Sequence, residues 1–419
     1  MTTAVRGRAE KDGQPGGAAR AAAFWRYWGA STASGIGDAV TAVALPLLAV
    51  LVLHASAFEV SLITAASFAS WLLIGLPAGV LVHRLPLRGT QVAMDLARAV
   101  AVASVPVTAA LGVLSLAQLI VVALVVGLAS VVFDIGNSTF LPSIVSKEEL
   151  TARNSLTSGT RAATQLGGPS LGGVLVQLLG AATSIAVDAV SYLVSAALMG
   201  SLPRVAHPAQ EGPRRGMGEM IREGWRYVTR HPVIGPCAAD ATAVNFVCGG
   251  LMALTPVFLV RTLDAPPALV GVLIATEGLG TLAGAALTPW IVARLGSGRA
   301  LRWAAVASPG FAALMPLAGH SAALLLFAVG NGGFAASVVI TSIVTRTYRQ
   351  TATPPELLPR VMATVRFISW GAIPFGALAA GGAAALWGER ASFALMAVLS
   401  LVSPAILLAS PVRRMRELA

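Results

Sequence analysis

Residues 24–53, FWRYWGASTASGIGDAVTAVALPLLAVLVL, form an apolar run of 30 residues with a single carboxylate, Asp38, near its middle. A helix needs about 20 mostly apolar residues to cross the hydrocarbon core of a bilayer, so this run predicts a membrane-spanning helix. Asp38 lies about 21 Å along that helix from Phe24, at 1.5 Å per residue. A charge at this depth is costly, so Asp38 is a candidate functional residue.

The rest of the chain has the same character. Charged residues make up 11% of its 419 positions, hydrophobic residues make up 56%, and the mean hydropathy is +0.77. In ordinary soluble proteins about a quarter of the residues are charged, so most classes of soluble protein are excluded. Eleven further apolar runs occur, at 58–82, 91–114, 117–142, 155–178, 181–201, 234–260, 268–292, 301–319, 321–345, 362–386 and 391–410. The sequence therefore predicts an all-α membrane protein with twelve transmembrane helices.

The chain also shows signs of internal duplication. Pro46 and Pro256 lie in similar sequence segments 210 residues apart, and ELTAR at 149–153 matches ELLPR at 356–360. Matches of this kind predict two six-helix pseudo-repeats around a central cavity. The expected parts are a disordered basic cytoplasmic tail at 1–23, a first bundle at 24–201, a linker at 202–233, a second bundle at 234–410 and a cytoplasmic tail at 411–419.

The linker contains a candidate amphipathic helix. Apolar residues recur there at helical spacing beside three arginines: Met217, Met220, Ile221, Trp225 and Val228 with Arg222, Arg226 and Arg230. This pattern predicts a helix at the membrane surface, and a partner-binding helix is the alternative.

The net charge of +11 follows the predicted topology. Of the 29 basic residues, only Arg261 and Arg390 fall in connectors on the side opposite both termini, while Arg98 and Arg161 lie within apolar runs. Such asymmetry indicates cytoplasmic termini in the plasma (inner) membrane rather than nucleic-acid binding. The first apolar run is too long for the core of a signal peptide.

Polar residues on apolar helices mark a candidate cavity. Asp38 shares a small, polar face with Ser31, Ser34 and Thr41, and Glu277 lies about 14 Å into its own run, at 1.5 Å per residue. Arg161, Gln165 and Asn245 extend the set. Because a carboxylate in a partly dry cavity can bind and release protons near neutral pH, Asp38 and Glu277 are candidates for proton coupling. A fixed salt bridge or backbone contact without a transport role is the alternative.

Enzymatic chemistry has little support. Gly168-Pro169-Ser170-Leu171-Gly172 matches the nucleophile pattern G-x-S-x-G, but it lies within an apolar helix rather than at a strand-to-helix turn. A phosphate-binding G-x-x-x-x-G-K-[ST] loop is missing from the sequence, as are metal-ligand spacings. We therefore expect neither an enzyme nor a cofactor or metal site.

Two motifs carry a family resemblance. GVLVHRLPLR at 79–88 resembles the cytoplasmic loop motif G-x-L-x-D-R-x-x-R of the major facilitator superfamily, with His83 in place of Asp, and GPSLGG at 168–173 matches the core of its antiporter signature G-P-x-x-G-G. Around Asp38, and in EELTARNSL and DAVSYLVSA, the chain is similar to the branch with macrolide and siderophore exporters. The resemblance implies alternating access in which conformational changes depend on Gly79, Arg84, Arg88, Arg294, Gly168, Pro169, Gly172 and Gly173.

Together these features predict a secondary active transporter. We expect a monomer in the lipid bilayer that exports a small amphiphilic drug or natural product, with protons as the coupling ion and without nucleic-acid partners. Proton-coupled uptake of a nutrient is the alternative within transport. A membrane sensor or scaffold that does not transport is the alternative from another class.

Overall fold

The computed structural model describes residues 17–75, 85–146, 149–203, 217–354 and 356–418, and this part of the chain is almost entirely helical. Ten of its helices are long and apolar enough to cross a bilayer. The prediction of an all-α membrane protein is confirmed at this level.

The described part of the first half, before the linker, contains six helices. They are α1 (Gly17–Leu51), α2 (Ala57–Ile74), α3 (Leu87–Ala110), α4 (Leu116–Ile144), α5 (Leu150–Leu179) and α6 (Ala181–Gly200). Their starts follow local rules. Ser56 caps α2 together with Glu59 in a capping box, and Ser115 accepts a hydrogen bond from the Gln118 amide at the start of α4.

The linker forms helix α7 (Met217–Arg230), and the second half follows it. Its helices are α8 (Ile234–Val257, extended by a π-helical turn at Phe258–Thr262), α9 (Pro267–Leu295), α10 (Ser297–Leu314), α11 (Leu324–Ala352), α12 (Leu358–Trp387), α13 (Glu389–Leu399) and α14 (Val402–Ala409). A short 3-10 turn at Pro411–Arg414 follows α14.

Helices α5 and α10 are not among the ten candidate membrane spans. The first 12 residues of α5 include Arg153, Asn154 and Arg161, although the helix has 30 residues. Helix α10 has only 18 residues and carries Arg299 and Arg302 near its start. Length alone therefore favours a span for α5, whereas hydropathy does not.

Two boundaries differ from the sequence-based expectations. Residues 17–23 of the expected disordered tail belong to α1, because alanine is the strongest helix former and five alanines stand there. The last apolar run forms two helices that meet at Ser400 and Leu401. Pro404 has no amide hydrogen to donate to the Ser400 carbonyl, so the regular helix is interrupted there.

Hydrogen bonds join the two halves at one end of the bundle, which we call the closed end and which bears His54, Gly180, Asp264 and Gly388. Arg261 donates hydrogen bonds to the carbonyls of His54 at 3.0 Å and Ala55 at 2.6 Å. The Ala268 amide donates to Oε1 of Gln177 at 3.1 Å. Three groups of the first half thus hold the second half at this end.

The opposite end, with the starts of α5 and α12 and the α9–α10 turn at Gly296, is here called the open end. Near the closed end α5 and α9 approach so closely that a Cβ on Gly271 would overlap the Pro169 carbonyl. Toward the open end, most side chains of residues 154–165 in α5 and 282–294 in α9 are exposed. The two helices therefore separate, and a gap between the halves widens toward the open end on the side of α5 and α9.

Helix α7 packs against the start of α12. Gly224 is buried there, and a Cβ at this position would overlap Oγ1 of Thr364 and crowd the Arg360 carbonyl. Val228 enters the apolar cluster that includes Ile234, Val361 and other residues of the second half. Helix α7 therefore lies level with the first two turns of α12.

Candidate functional site

Asp38 lies on α1, about 20 Å from the closed end at 1.5 Å per residue. Its side chain is exposed, whereas Ser34 one turn earlier is 3% exposed. Gly37 lets α1 approach α6, because a Cβ there would overlap the side chains of Asp188 and Ser191. This close approach brings polar groups of α6 to the Asp38 carboxylate.

Tyr192 of α6 is the direct partner of Asp38. The Tyr192 hydroxyl donates a hydrogen bond to Oδ1 of Asp38, and Tyr192 is fully buried. One turn earlier, Asp188 is also fully buried. Its Oδ1 accepts from the Ser191 hydroxyl at 3.0 Å, while its Oδ2 has no hydrogen-bond partner in the described parts of the chain. The α1–α6 interface thus holds two carboxylates close together.

A buried ion pair lies behind Tyr192. Arg98 pairs with Asp95 on α3, and the Ser195 hydroxyl donates to Oδ2 of Asp95 at 2.7 Å. The Arg98 guanidinium also lies 4.3 Å from the ring centroid of Phe133 and 4.4 Å from that of Tyr192. Asp95 and Arg98 compensate each other's charge, and Tyr192 connects this pair to Asp38.

Arg161 and Asp134 form a second charged group between the halves. Asp134 of α4 lies within electrostatic range of Arg161 of α5, of Asp38 and of Arg366 of α12. Arg161 is exposed, as is Arg366. Charges from both halves therefore lie close together in one region, which includes the predicted cavity residues Asp38 and Arg161.

Arg366 also takes part in an aromatic contact between the halves. Its guanidinium lies 4.1 Å from the ring centroid of Trp71 on α2 and 4.3 Å from that of Trp370 on α12. The two indole rings are 5.0 Å apart in an edge-to-face arrangement. Cation–π contacts of this kind are attractive, so α2 and α12 are held together on the open-end side of the bundle.

Glu277, Gln165 and Asn245 lie apart from the Asp38 cluster. Glu277 of α9 is exposed and within electrostatic range of the Cys248 thiol on α8. Its neighbour Gly278 faces the backbone of Gln165 on α5. Asn245 is half-buried and donates its amide hydrogen to the Ala241 carbonyl at 2.7 Å within its own helix. Glu277 and Asp38 thus belong to different helices of different halves and are not in contact.

The residues of the G-P-x-x-G-G signature line two helix interfaces. A Cβ on Gly168 would overlap Cβ of Ala39, and one on Gly172 would crowd the backbone of Val40, so both glycines face α1. Gly173 and the carbonyl of Pro169 face α9, against Gly271. Helix α5 therefore contacts the Asp38 helix on one side and the second half on another.

Of the four predicted loop residues, Arg88 and Arg294 lie in the described part of the chain. Gly79 and Arg84 lie outside the described residues. Arg88 is half-buried in the first turn of α3. Arg294 is exposed, and its guanidinium lies 4.6 Å from the Trp290 ring centroid of its own helix. Neither arginine has an ion pair within the described parts of the chain.

Sequence reasoning missed Tyr192 and the aromatic contact around Arg366. A signal for the first was present, because Ser184, Asp188, Tyr192 and Ser195 recur at spacings of four, four and three residues in an apolar helix and are all fully buried. Such a stripe predicts one polar helix face. Trp71 and Trp370 are 299 positions apart, and only the packing of α2 on α12 brings them together.

Comparisons with known proteins agree with this architecture. Residues 17–419 match the family MFS_3, described as transmembrane secretion effectors. The multidrug efflux pump Tap of Mycolicibacterium fortuitum is 27% identical over 398 residues, which cover 93% of this chain and 95% of that protein.

Two solved structures share the fold. The nucleoside transporter NupG superposes with a TM-score of 0.74 at 10% identity, over 94% of this chain and 99% of that one. A bacterial homologue of the lysosomal transporter Spinster, in an inward-facing and unoccupied conformation, has a TM-score of 0.74 at 13% identity, over 94% and 97% of the two chains. At these identities the likeness concerns the fold alone.

Proposed function

Since the chain belongs to the transmembrane secretion effector family of the major facilitator superfamily, we propose that it exports a small amphiphilic compound by alternating access, driven by proton entry. The protein is a multi-pass membrane transporter rather than an enzyme. The expected substrate is a drug or natural product, because the multidrug efflux pump Tap is a relative over nearly the full length of both chains.

The proposed architecture is two repeats of six membrane spans, with α5 and α10 included and α13 and α14 forming the last span. Helix contacts between the halves support it, because α2 packs on α12 just as α9 packs on α5, which pairs the second span of each repeat with the fifth span of the other. The turns at Gly180 and Gly388, 208 residues apart, have φ of 83° each, and both follow a fifth span. Glycine adopts this left-handed conformation without steric cost.

In the proposed orientation the open end and both termini face the cytoplasm. The excess of arginine in connectors at this end supports the assignment. A substrate would then reach the gap between the halves from the cytoplasm or the inner leaflet. An apolar cavity of about 470 Å³, lined by Thr242, Phe246, Ile368 and Ala372 among others, lies at mid-depth in the second half and suits the apolar part of an amphiphile.

Asp38 is the observation on which proton coupling rests. It is an exposed carboxylate deep in a membrane-spanning helix, with a fully buried tyrosine as hydrogen-bond donor and a second buried carboxylate, Asp188, nearby. Ionised groups at this depth are costly, so proton binding would change which conformation is favoured. Glu277 would serve as a second proton site. Arg161, Gln165 and Asn245 would line the central cavity between the halves.

The closing of each end involves different residues in this proposal. Gly173 and Gly271, together with Arg261, would stabilise the state that is closed toward the outside. The loop residues Gly79, Arg84, Arg88 and Arg294 would stabilise the opposite state by closing the cytoplasmic side. Gly168, Pro169 and Gly172 would let α5 bend and slide against α1 during the exchange.

Everted membrane vesicles test the direction and the driving force together. Compounds to which a deletion strain is hypersensitive supply the probes. Accumulation of such a compound in everted vesicles with an acidified interior, abolished by a protonophore, is the expected result. Accumulation only in right-side-out vesicles would instead indicate nutrient uptake, and complete absence of flux for every such compound would indicate a sensor or scaffold.

A further inference from the structure

A cavity outside the transport pathway lies where α7 meets the starts of α8 and α12. It has a volume of about 410 Å³, and its lining includes Glu223, Arg226, Tyr227, Arg230, His231 and Leu357. The α7 helix supplies four of these residues from its last two turns. None of them belongs to the Asp38 cluster or to the gap between the halves.

Two uncompensated guanidinium groups border this cavity. Arg226 and Arg230 are one helical turn apart, so they project from the same side of α7. Both are exposed, and neither has an ion pair among the residues that the structure describes. The nearby carboxylate of Glu223 does not neutralise them, because it pairs with Arg360 of α12. The cavity therefore carries an excess of positive charge.

His231 adds an oriented hydrogen-bond donor. Its Nδ1 accepts hydrogen bonds from the backbone amides of Val233 and Ile234, each at 3.2 Å. Nδ1 is thus unprotonated and the ring proton resides on Nε2. Burial lowers the pKa of His231, which keeps the ring neutral near pH 7. Tyr227, whose ring centroid is 5.6 Å from that of His231, donates to the Ala352 carbonyl at 3.4 Å and helps to fix this arrangement.

A buried arginine, Arg349, directly follows Tyr348 on α11, the helix whose Tyr348 ring packs against His231. Arg349 is 7% exposed, and its Nε and Nη1 atoms have no hydrogen-bond partner in the described chain. The ring centroids of Tyr348 and His231 are 6.0 Å apart. An uncompensated buried cation favours an anionic partner close by.

We propose that this cavity binds the phosphate group of an anionic phospholipid in the leaflet on the α7 side. Arg226 and Arg230 would contact the phosphate oxygens, Nε2 of His231 would donate to one of them, and Leu357 would face the glycerol. A lipid is favoured over a soluble phosphate because α7 lies level with the first turns of α12 and exposes Trp225 and Ile221, at 50% and 36%. Exposed tryptophan on a basic amphipathic helix is typical of the headgroup region.

Native mass spectrometry of the purified full-length chain tests this site, with phosphatidylglycerol as the anionic probe and phosphatidylcholine as the zwitterionic one. We expect tighter binding of phosphatidylglycerol. The variant Arg226→Gln/Arg230→Gln should lose about 30-fold in this affinity, since each basic group near an anionic headgroup contributes about fivefold. The variant Arg226→Lys/Arg230→Lys keeps both charges and should bind nearly as the wild type does.

The variant Arg222→Gln/Arg299→Gln is the matched control, because it removes two exposed arginines that do not line the cavity. It should bind phosphatidylglycerol as the wild type does. Equal loss in both glutamine variants would show general surface attraction and overturn the proposal. Unchanged affinity in Arg226→Gln/Arg230→Gln, or equal loss in the lysine variant, would do the same. Displacement of the lipid by glycerol 3-phosphate would assign the site to a soluble phosphate instead.

Discussion

Tyr192 donates a hydrogen bond to Asp38 across the interface of α6 and α1. The same tyrosine ring lies 4.4 Å from the Arg98 guanidinium, which pairs with Asp95 on α3. One buried side chain thus connects an exposed carboxylate to a compensated ion pair. A change in the charge of Asp38 would therefore alter the electrostatic interactions of α3 and α6 as well as those of α1.

The first prediction concerns Asp38 itself. Asp38→Asn keeps the size of the side chain but removes its ionisation, so proton-driven flux in everted vesicles should fall to the level of passive leak. The amount of folded protein, measured by size-exclusion chromatography, should not change. Asp264→Asn is the control, because Asp264 is an exposed carboxylate at the closed end, where it pairs with the exposed His320 at 3.4 Å. Wild-type flux in Asp38→Asn would refute the coupling role.

The second prediction tests whether Tyr192 acts through Asp38. Tyr192→Phe removes the hydroxyl donor, and a hydrogen bond to a charged group is worth about 1.5 to 3 kcal/mol, so proton-driven flux should fall about tenfold or more. Because Asp38→Asn leaves no proton-driven flux to lose, the pairing is tested by thermal stability: Tyr192→Phe should destabilise the wild type more than it destabilises Asp38→Asn, in which the donor has lost its ionised partner. Additive losses would show that Tyr192 has a separate role. Ser392→Ala is the control, because it removes a buried hydroxyl that donates to the Ala380 carbonyl in the second half, outside the cluster.

The positions of the helices could largely be predicted from the sequence, because a span needs a long apolar run and such runs are visible directly. The ends of the helices were harder to predict. Residues 17–23 extend α1, and Pro404 divides the last run, because helix propensity and a missing amide hydrogen act locally. The start of α5 is polar and lies beside the gap between the halves. The sequence of α5 alone does not show this position, because it depends on tertiary packing.

The candidate site could be predicted only in part. Asp38 and Glu277 were identifiable because a carboxylate in an apolar run is conspicuous. Their partners were not, because Tyr192 is 154 residues from Asp38 and the pairing depends on how α6 packs on α1. The division of the acids between two separate regions likewise follows from tertiary packing.

The third prediction concerns the closest approach between the halves. A Cβ on Gly271 would overlap the Pro169 carbonyl and crowd the backbone of Gly173. Overpacking of this kind costs about 1 to 3 kcal/mol. Gly271→Ala should therefore shift the conformational equilibrium by about five- to 150-fold, away from the state in which the closed end is shut. Labelling of single cysteines placed at the closed end should become faster. Gly382→Ala is the control, since nothing lies within 4 Å of its added Cβ, and equal labelling rates in both variants would contradict the prediction.

The fourth prediction concerns Arg261, which bonds to the carbonyls of His54 and Ala55 in the other half. Arg261→Ala should destabilise the closed end by about 1 kcal/mol, because these bonds are partly exposed to solvent, and should raise the cysteine labelling rate there roughly fivefold. Arg390→Ala serves for comparison. Arg390 donates to the carbonyls of Pro316 and Ala318 within its own half, so its loss should lower thermal stability without faster labelling at the closed end.

The fifth prediction concerns the C-terminal tail, which is fixed to the start of α10 by Glu417. The Ser297 amide and hydroxyl donate to Oε2 of Glu417 at 3.1 and 3.0 Å, and these hydrogen bonds hold the pKa of the Glu417 carboxyl below its ordinary range. The folded state therefore prefers the ionised carboxylate. The attachment of the tail should be fully stabilised above the ordinary pKa of glutamate, about 4.3, and should weaken as the pH falls through the lowered value.

Hydrogen exchange at the Gly298 amide reports this attachment, because that amide donates to the Arg416 carbonyl at 2.9 Å. Its protection factor, corrected for the intrinsic exchange rate, should fall in acid in the wild type. In Glu417→Gln it should be low at neutral pH already and should change little with pH. Glu219→Gln, an exposed position in α7, should behave as the wild type does. Because Arg302 still donates to the carbonyls of Val412 and Met415 at 2.6 and 2.8 Å, the tail should loosen in Glu417→Gln only beyond Met415; wild-type protection of Gly298 in that variant would show that these arginine bonds alone hold the tail.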